Sequence, residues 1–229
     1  MTHPLHVTCT APLRRLVAAA LAAACVGAQG TVIGGVEFPG GLSSFADAVA
    51  AYQPVIIGGV PQQAVRNPAT ALGAPDYVGA NCSNPAICHN VSLGQGGSLT
   101  LEFIDNRLTG SGSPALDLWV FEVGPDVEDT FVAISRDGVT FFDVGKVLGA
   151  TAGIDIDAFG FGPSDEFRFV RLIDDRLEGG AGGDNSGADI DAVGAISSRR
   201  VQVVPAPASA WLAVLGLGCA WMRRRRSPG

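Results

Sequence analysis

Between residues 98 and 196 the chain repeatedly alternates apolar and polar residues with a period of two, a pattern that suits pleated sheet and little else. In Ser98-Leu99-Thr100-Leu101-Glu102-Phe103 it puts Leu99, Leu101 and Phe103 on one face. Residues 116–123 (LDLWVFEV) repeat it with an apolar excess, as a central strand requires. Segments 130–135 and 140–144 flank Asp137-Gly138, which predicts a hairpin with a type I′ turn, both of whose central residues need positive φ. Segments 167–173 and 190–196 bring the count to at least six strands. With 31 glycines and 14 prolines to turn the chain, the predicted fold is all-β, an antiparallel jelly roll or β-sandwich. One short helix is expected over residues 42–52, with Ser43 or Ser44 as N-cap and Phe45, Ala48, Val49 and Tyr52 on one face. No unit of about 20–50 residues recurs, which argues against a solenoid or propeller.

Two hydrophobic ends frame this region. Arg14-Arg15 precedes an apolar run over 16–26, of signal-peptide length and too short to span a bilayer. Val26-Gly27-Ala28 supplies small residues where a signal peptidase reads, so residues 1–28 are expected to be a signal peptide and 29–203 the folded domain. Cys25 offers a lipoprotein alternative, although Ala22 stands where leucine is usual. The tail, 204–229, begins Val204-Pro205-Ala206-Pro207, continues through an apolar run over 210–222 and reaches Arg223, Arg224, Arg225 and Arg226. A transmembrane helix over 208–222 would be about 22 Å long against a hydrocarbon core of about 30 Å, a marginal inner-membrane anchor held by its cytoplasmic arginines.

Charge and cysteine are unevenly placed. Nine basic residues lie between the two ends with all 22 acids, a net charge of −13 for the domain. Such a field repels phosphate backbones, so nucleic acid is not an expected partner, whereas divalent cations are compatible. Of the five cysteines only Cys82 and Cys88 fall in the domain, with five residues between them. In an exported chain they read as a disulfide; a metal pair with His89 is the alternative, short of the four ligands a zinc site needs.

Two passages echo each other, Gly153-Ile154-Asp155-Ile156-Asp157 and Gly187-Ala188-Asp189-Ile190-Asp191. Aspartate is disfavoured within strands, and two at i, i+2 share a face. They read either as a solvated face or turn cap, or as hard ligands of a structural Ca²⁺ held by Asp189 and Asp191 with Asp184 from the upstream loop. For catalysis the domain offers one histidine, His89, no Gly-x-Ser-x-Gly elbow and no phosphate loop. Its many carboxylates leave a glycosidase-type hydrolase as an alternative.

The layout Pro-x-Pro, short apolar helix, arginine cluster resembles the PEP-CTERM sorting signal, departing from it at Ala206, where the namesake motif has glutamate. The resemblance implies an exported surface protein of a Gram-negative bacterium that makes extracellular polysaccharide, with the tail recognised and cut by an exosortase after transient residence in the inner membrane. Residues 71–76 (ALGAPD), 91–101, 117–123 and Ile134-Ser135-Arg136-Asp137-Gly138 resemble a domain common in such proteins, similar in turn to galactose-binding-like, discoidin-type jelly rolls. That implies a non-catalytic component of the surface or matrix, either binding glycan or serving as an adhesive or structural module. Stacking aromatics would discriminate, and Trp119, the domain's one tryptophan, lies in an apolar run that reads as core.

Overall fold

The computed structural model describes residues 30–55, 65–79, 82, 84–124, 128–178 and 187–201. The expected leader (1–28), Asp184 and the tail motif from Val204 to Arg226 lie outside the described residues. Among the described residues, no helix is long and apolar enough to cross a membrane.

The described chain forms strands β1 (Thr31–Ile33), β2 (Val36–Phe38), β3 (Ala48–Gln53), β4 (Val91–Ser92), β5 (Ser98–Glu102), β6 (Asn106–Leu108) and β7 (Leu118–Glu122). They are followed by β8 (Thr130–Ser135), β9 (Phe141–Val147), β10 (Thr151–Ile154), β11 (Phe169–Asp174), β12 (Asp189–Ala195) and β13 (Ser198–Arg200). A five-stranded sheet in the order β3-β5-β11-β8-β9 packs on a four-stranded sheet in the order β10-β7-β12-β4. Among the described residues every pair of named strands is antiparallel, and together they form an all-β sandwich.

Register decides which residues meet inside. Leu99, Leu101, Val170, Leu172, Val132 and Ile134 face Leu118, Val120, Ile190 and Val193 across one core, each at most 1% exposed. Full burial of each such side chain stabilises by about 1.5–3 kcal/mol, so packing of sheet on sheet outweighs local propensity. The four-stranded sheet is also covered outside. Phe38 and Phe45 lie against Phe121 of β7, with ring centroids 6.2 and 6.1 Å away, and β12 is therefore buried along its whole length.

The expected helix over 42–52 is not there. A 3₁₀ turn occupies Gly41–Ser44, and β3 then pairs with β5. The register of β3 shifts between Val49 and Ala51, a bulge that leaves Val49 opposite Leu101 and Tyr52 opposite Leu99, both inward. A bulged strand thus spaces its core residues three apart, which copies a helical period. The same device sets Val144 and Val147 on β9, and Ile190 and Val193 on β12, into the core.

The hairpin at Asp137-Gly138 forms, but not through a two-residue type I′ turn. Pairing ends at Ser135 opposite Phe141, and only Gly138 has positive φ (76°). Asp137 Oδ1 instead accepts the N–H groups of Val139 and Thr140, while Ser135 Oγ accepts that of Gly138. These bonds hold the Asp137 carboxyl below its ordinary pKa.

Candidate functional site

With the inner face committed to the core, alternate residues of the five-stranded sheet point outward. Register places Glu102, Phe169, Ser135 and Phe141 in one cross-strand row, and Thr100, Arg171, Ala133 and Asp143 in the next. Ile173 and Phe131 stand opposite each other in a third row, with Lys146 beside Phe131. Ala133 is small enough for Arg171 to reach over it, and the guanidinium stacks 3.5 Å from the Phe141 ring centroid while Nε donates to Thr100 Oγ1. Lys146 lies 5.3 Å from the Phe131 centroid and is fixed there by Asp129 and Asp175, both at 2.7 Å. Phe131 is 44% exposed, and with Val132, Asp143, Gly145 and Ile173 it lines a hollow of about 280 Å³, just below the usual ligand-pocket range of about 300–1,000 Å³. Apolar ring faces beside fixed donors and acceptors suit a ligand with one apolar face and polar edges. Sequence reasoning missed these phenylalanines, because period-two alternation does not say which face is covered.

The sequence-predicted Asp189 and Asp191 are both buried, at 5% and 3% exposure, but they serve different partners. Asp191 accepts the N–H groups of Asp76 and Tyr77, at 3.2 and 3.3 Å, near the His89–Asp76 pair. Burial pushes its carboxyl up to about 6. Asp189 lies against Ser92 and Asn90, and burial raises it to about 7. Glu122 faces β12 at 1% exposure, accepts the Asp189 N–H at 3.4 Å and is pushed to about 9 by burial, with Glu128 and Asp189 adding like charge. Glu122 Oε2 and Asp189 Oδ1 have no hydrogen-bond partner.

It is the earlier echo that gathers carboxylates. One oxygen each of Asp117, Asp155 and Asp157 lie within 4.8 Å of one another. Asp155 Oδ1 accepts from the N–H of Asp157 at the start of a 3₁₀ turn (Asp157–Phe159), and Asp157 Oδ2 accepts from the N–H groups of Ser111 and Gly112. Asp117, just before β7, is fully buried, and its Oδ2 takes the Ile156 N–H at 3.0 Å. Sequence reasoning found the Asp155/Asp157 pair but not Asp117, whose approach depends on β7 pairing with β10. Cys82 and Cys88 are disulfide-bonded, Cα atoms 4.6 Å apart, as expected.

No family model and no curated protein sequence matches the chain. Among solved structures, the chain is similar to the C-terminal domain of a chitobiase from Bacteroides fragilis, at 13% identity and a TM-score of 0.30. The match covers 46% of this chain and 64% of that domain, less than two thirds of its length, so the sites' own chemistry must decide what the chain can do.

Proposed function

We propose that this chain is an exported, non-catalytic component of a bacterial surface or extracellular-polysaccharide matrix that binds glycan on the outer face of its five-stranded sheet. In this reading the sandwich is a jelly roll of the galactose-binding-like kind. Residues 1–28 direct export, and 204–229 hold the chain in the inner membrane until an exosortase-type enzyme cuts it. The observation that carries the glycan reading is the outward set Phe131, Phe141 and Phe169, with Arg171 stacked on Phe141 and Lys146 beside Phe131. Sugar rings present a C–H face for such stacking and hydroxyl edges for the exposed Asp143. Trp119 is no substitute, because it packs beside the covered Phe38–Phe45 cluster.

A net charge of −13 across the domain repels uronate-rich or phosphorylated chains, so a neutral polysaccharide is the expected ligand. The hydrolase alternative gains nothing from the raised carboxyls, since Glu122 and Asp189 are buried beyond a substrate's reach. Affinity electrophoresis of the full chain through gels containing neutral polysaccharides tests the reading. Retardation is expected for at least one polysaccharide, with Phe131→Ala plus Phe141→Ala weakening it tenfold or more, about 1.4 kcal/mol. Leu42→Ala, at an exposed position elsewhere, should change nothing. No retardation, or retardation that the double variant leaves intact, sinks the glycan reading.

A further inference from the structure

Two other charged clusters are balanced or capped within the fold. Lys146 is held by Asp129, Asp175 and Glu178, and Asp191 by two backbone N–H groups. Where the 111–117 loop meets the turn after β10, the balance fails. Three carboxylates converge, and among the described residues none of the three is in an ion pair with a lysine or arginine. The deepest of them, Asp117, is fully buried, and its Oδ1 has no hydrogen bond. The Ser197 and Ser111 hydroxyls are near enough to favour the ionised form, yet neither closes a bond of proper geometry to that oxygen. A buried carboxylate oxygen without a partner costs about 1–3 kcal/mol or more, and here it belongs to a carboxylate that reaches the oxygens of two others.

We infer that Asp117, Asp155 and Asp157 bind a Ca²⁺ ion. The donor set is oxygen only, which excludes the soft and imidazole-seeking metals. Ca²⁺ accepts six to eight oxygens in loose geometry, so carboxylates already engaged with backbone N–H groups still serve it, whereas Mg²⁺ demands a strict octahedron. Access comes from the open side, a hollow lined by Gly112, Ser113, Pro114, Asp155, Asp157 and Ala158 that leaves room for water or a Ser113 oxygen to complete the shell. The ion would tie the exposed 111–116 loop to the β10 turn and stiffen that end of the sandwich.

Calorimetric titration of the full chain with CaCl₂, alongside thermal melting, tests the site. Binding with a Kd of about 10⁻⁴–10⁻³ M is expected, and melting should rise by about 3–6 °C at tenfold excess over Kd. Asp155→Asn with Asp157→Asn should weaken binding at least tenfold and remove the rise. Asp157→Asn alone, whose amide oxygen can still accept the Ser111 and Gly112 N–H groups, should weaken it several-fold and covers the case in which the double variant does not fold. Asp189→Asn with Asp191→Asn should keep the Ca²⁺ response. The site is overturned if wild-type melting ignores Ca²⁺ and EDTA alike, if Mg²⁺ acts equally, or if the response survives at Asp157→Asn but is lost with Asp189 and Asp191.

Discussion

Glu122 carries a cost that its neighbours impose. It follows Phe121, which faces outward to meet Phe38 and Phe45, so alternation turns the Glu122 carboxyl to the opposite, inter-sheet face, where its register partner is Ile190. Burial then raises its pKa from 4.5 to about 9, and that of Asp189 from 3.8 to about 7. Because the folded state holds these protons more tightly than the unfolded chain, the stability they contribute is fully present below about pH 4. It is lost progressively as pH rises through about 7 for Asp189 and about 9 for Glu122. Glu122→Gln keeps the oxygen that accepts the Asp189 N–H and removes the ionisation. It should raise stability at pH 8 by about 1–3 kcal/mol in urea unfolding and flatten the pH profile between 7 and 9. An unchanged profile would show that Glu122 is already solvated and ionised. None of this was legible in LWVFEV, where the apolar excess announced a central strand but could not say which of two covered faces the one acid entered.

At the scale of elements, the sheets followed the alternation closely, and 130–135 became β8 without displacement. What escaped the sequence is the bulge. Val49 and Tyr52 share a face in a helix and also in a strand with one extra residue, and Ala-rich 42–52 favours the helical reading until β5 offers an edge to pair with. The aromatic cover was equally hidden, because nothing local says that Phe38 will meet a glycine 156 residues later. Gly194 of β12 is that meeting point: a Cβ there would come within 2.6 Å of the Phe38 ring and 2.9 Å of the Phe45 ring, both buried. Its φ is not positive, so the objection is purely steric. Gly194→Ala should therefore destabilise by about 1–3 kcal/mol through overpacking, seen as a lower urea midpoint at constant m. Leu177→Ala, at 89% exposure, should stay within about 0.5 kcal/mol of wild type. Equal midpoints for the two variants would mean that the aromatic layer moves aside freely.

For the whole molecule, the cysteines link the fold to the export proposal. Cys9 and Cys25 precede the expected cleavage point, Cys219 lies in the tail, and Cys82 and Cys88 are bonded to each other next to Val65. If both ends are removed on the way to the surface, the mature chain has no free thiol. If the tail stays as an anchor, it has one, at Cys219. The internal bond closes a seven-residue loop, worth about 2–2.5 kcal/mol in the chain-entropy model, so it should persist without reductant. Alkylation of unreduced protein recovered from the cell surface, followed by intact-mass measurement, reads these features together. The expected mass begins after Ala28, ends near Pro207, lacks two hydrogens and carries no alkyl group. One label with an intact C-terminus would leave a plain membrane anchor in place of a sorting signal. Labelling of both Cys82 and Cys88 would instead break the structural link, placing the chain in a reducing compartment where neither the disulfide nor a polysaccharide ligand belongs.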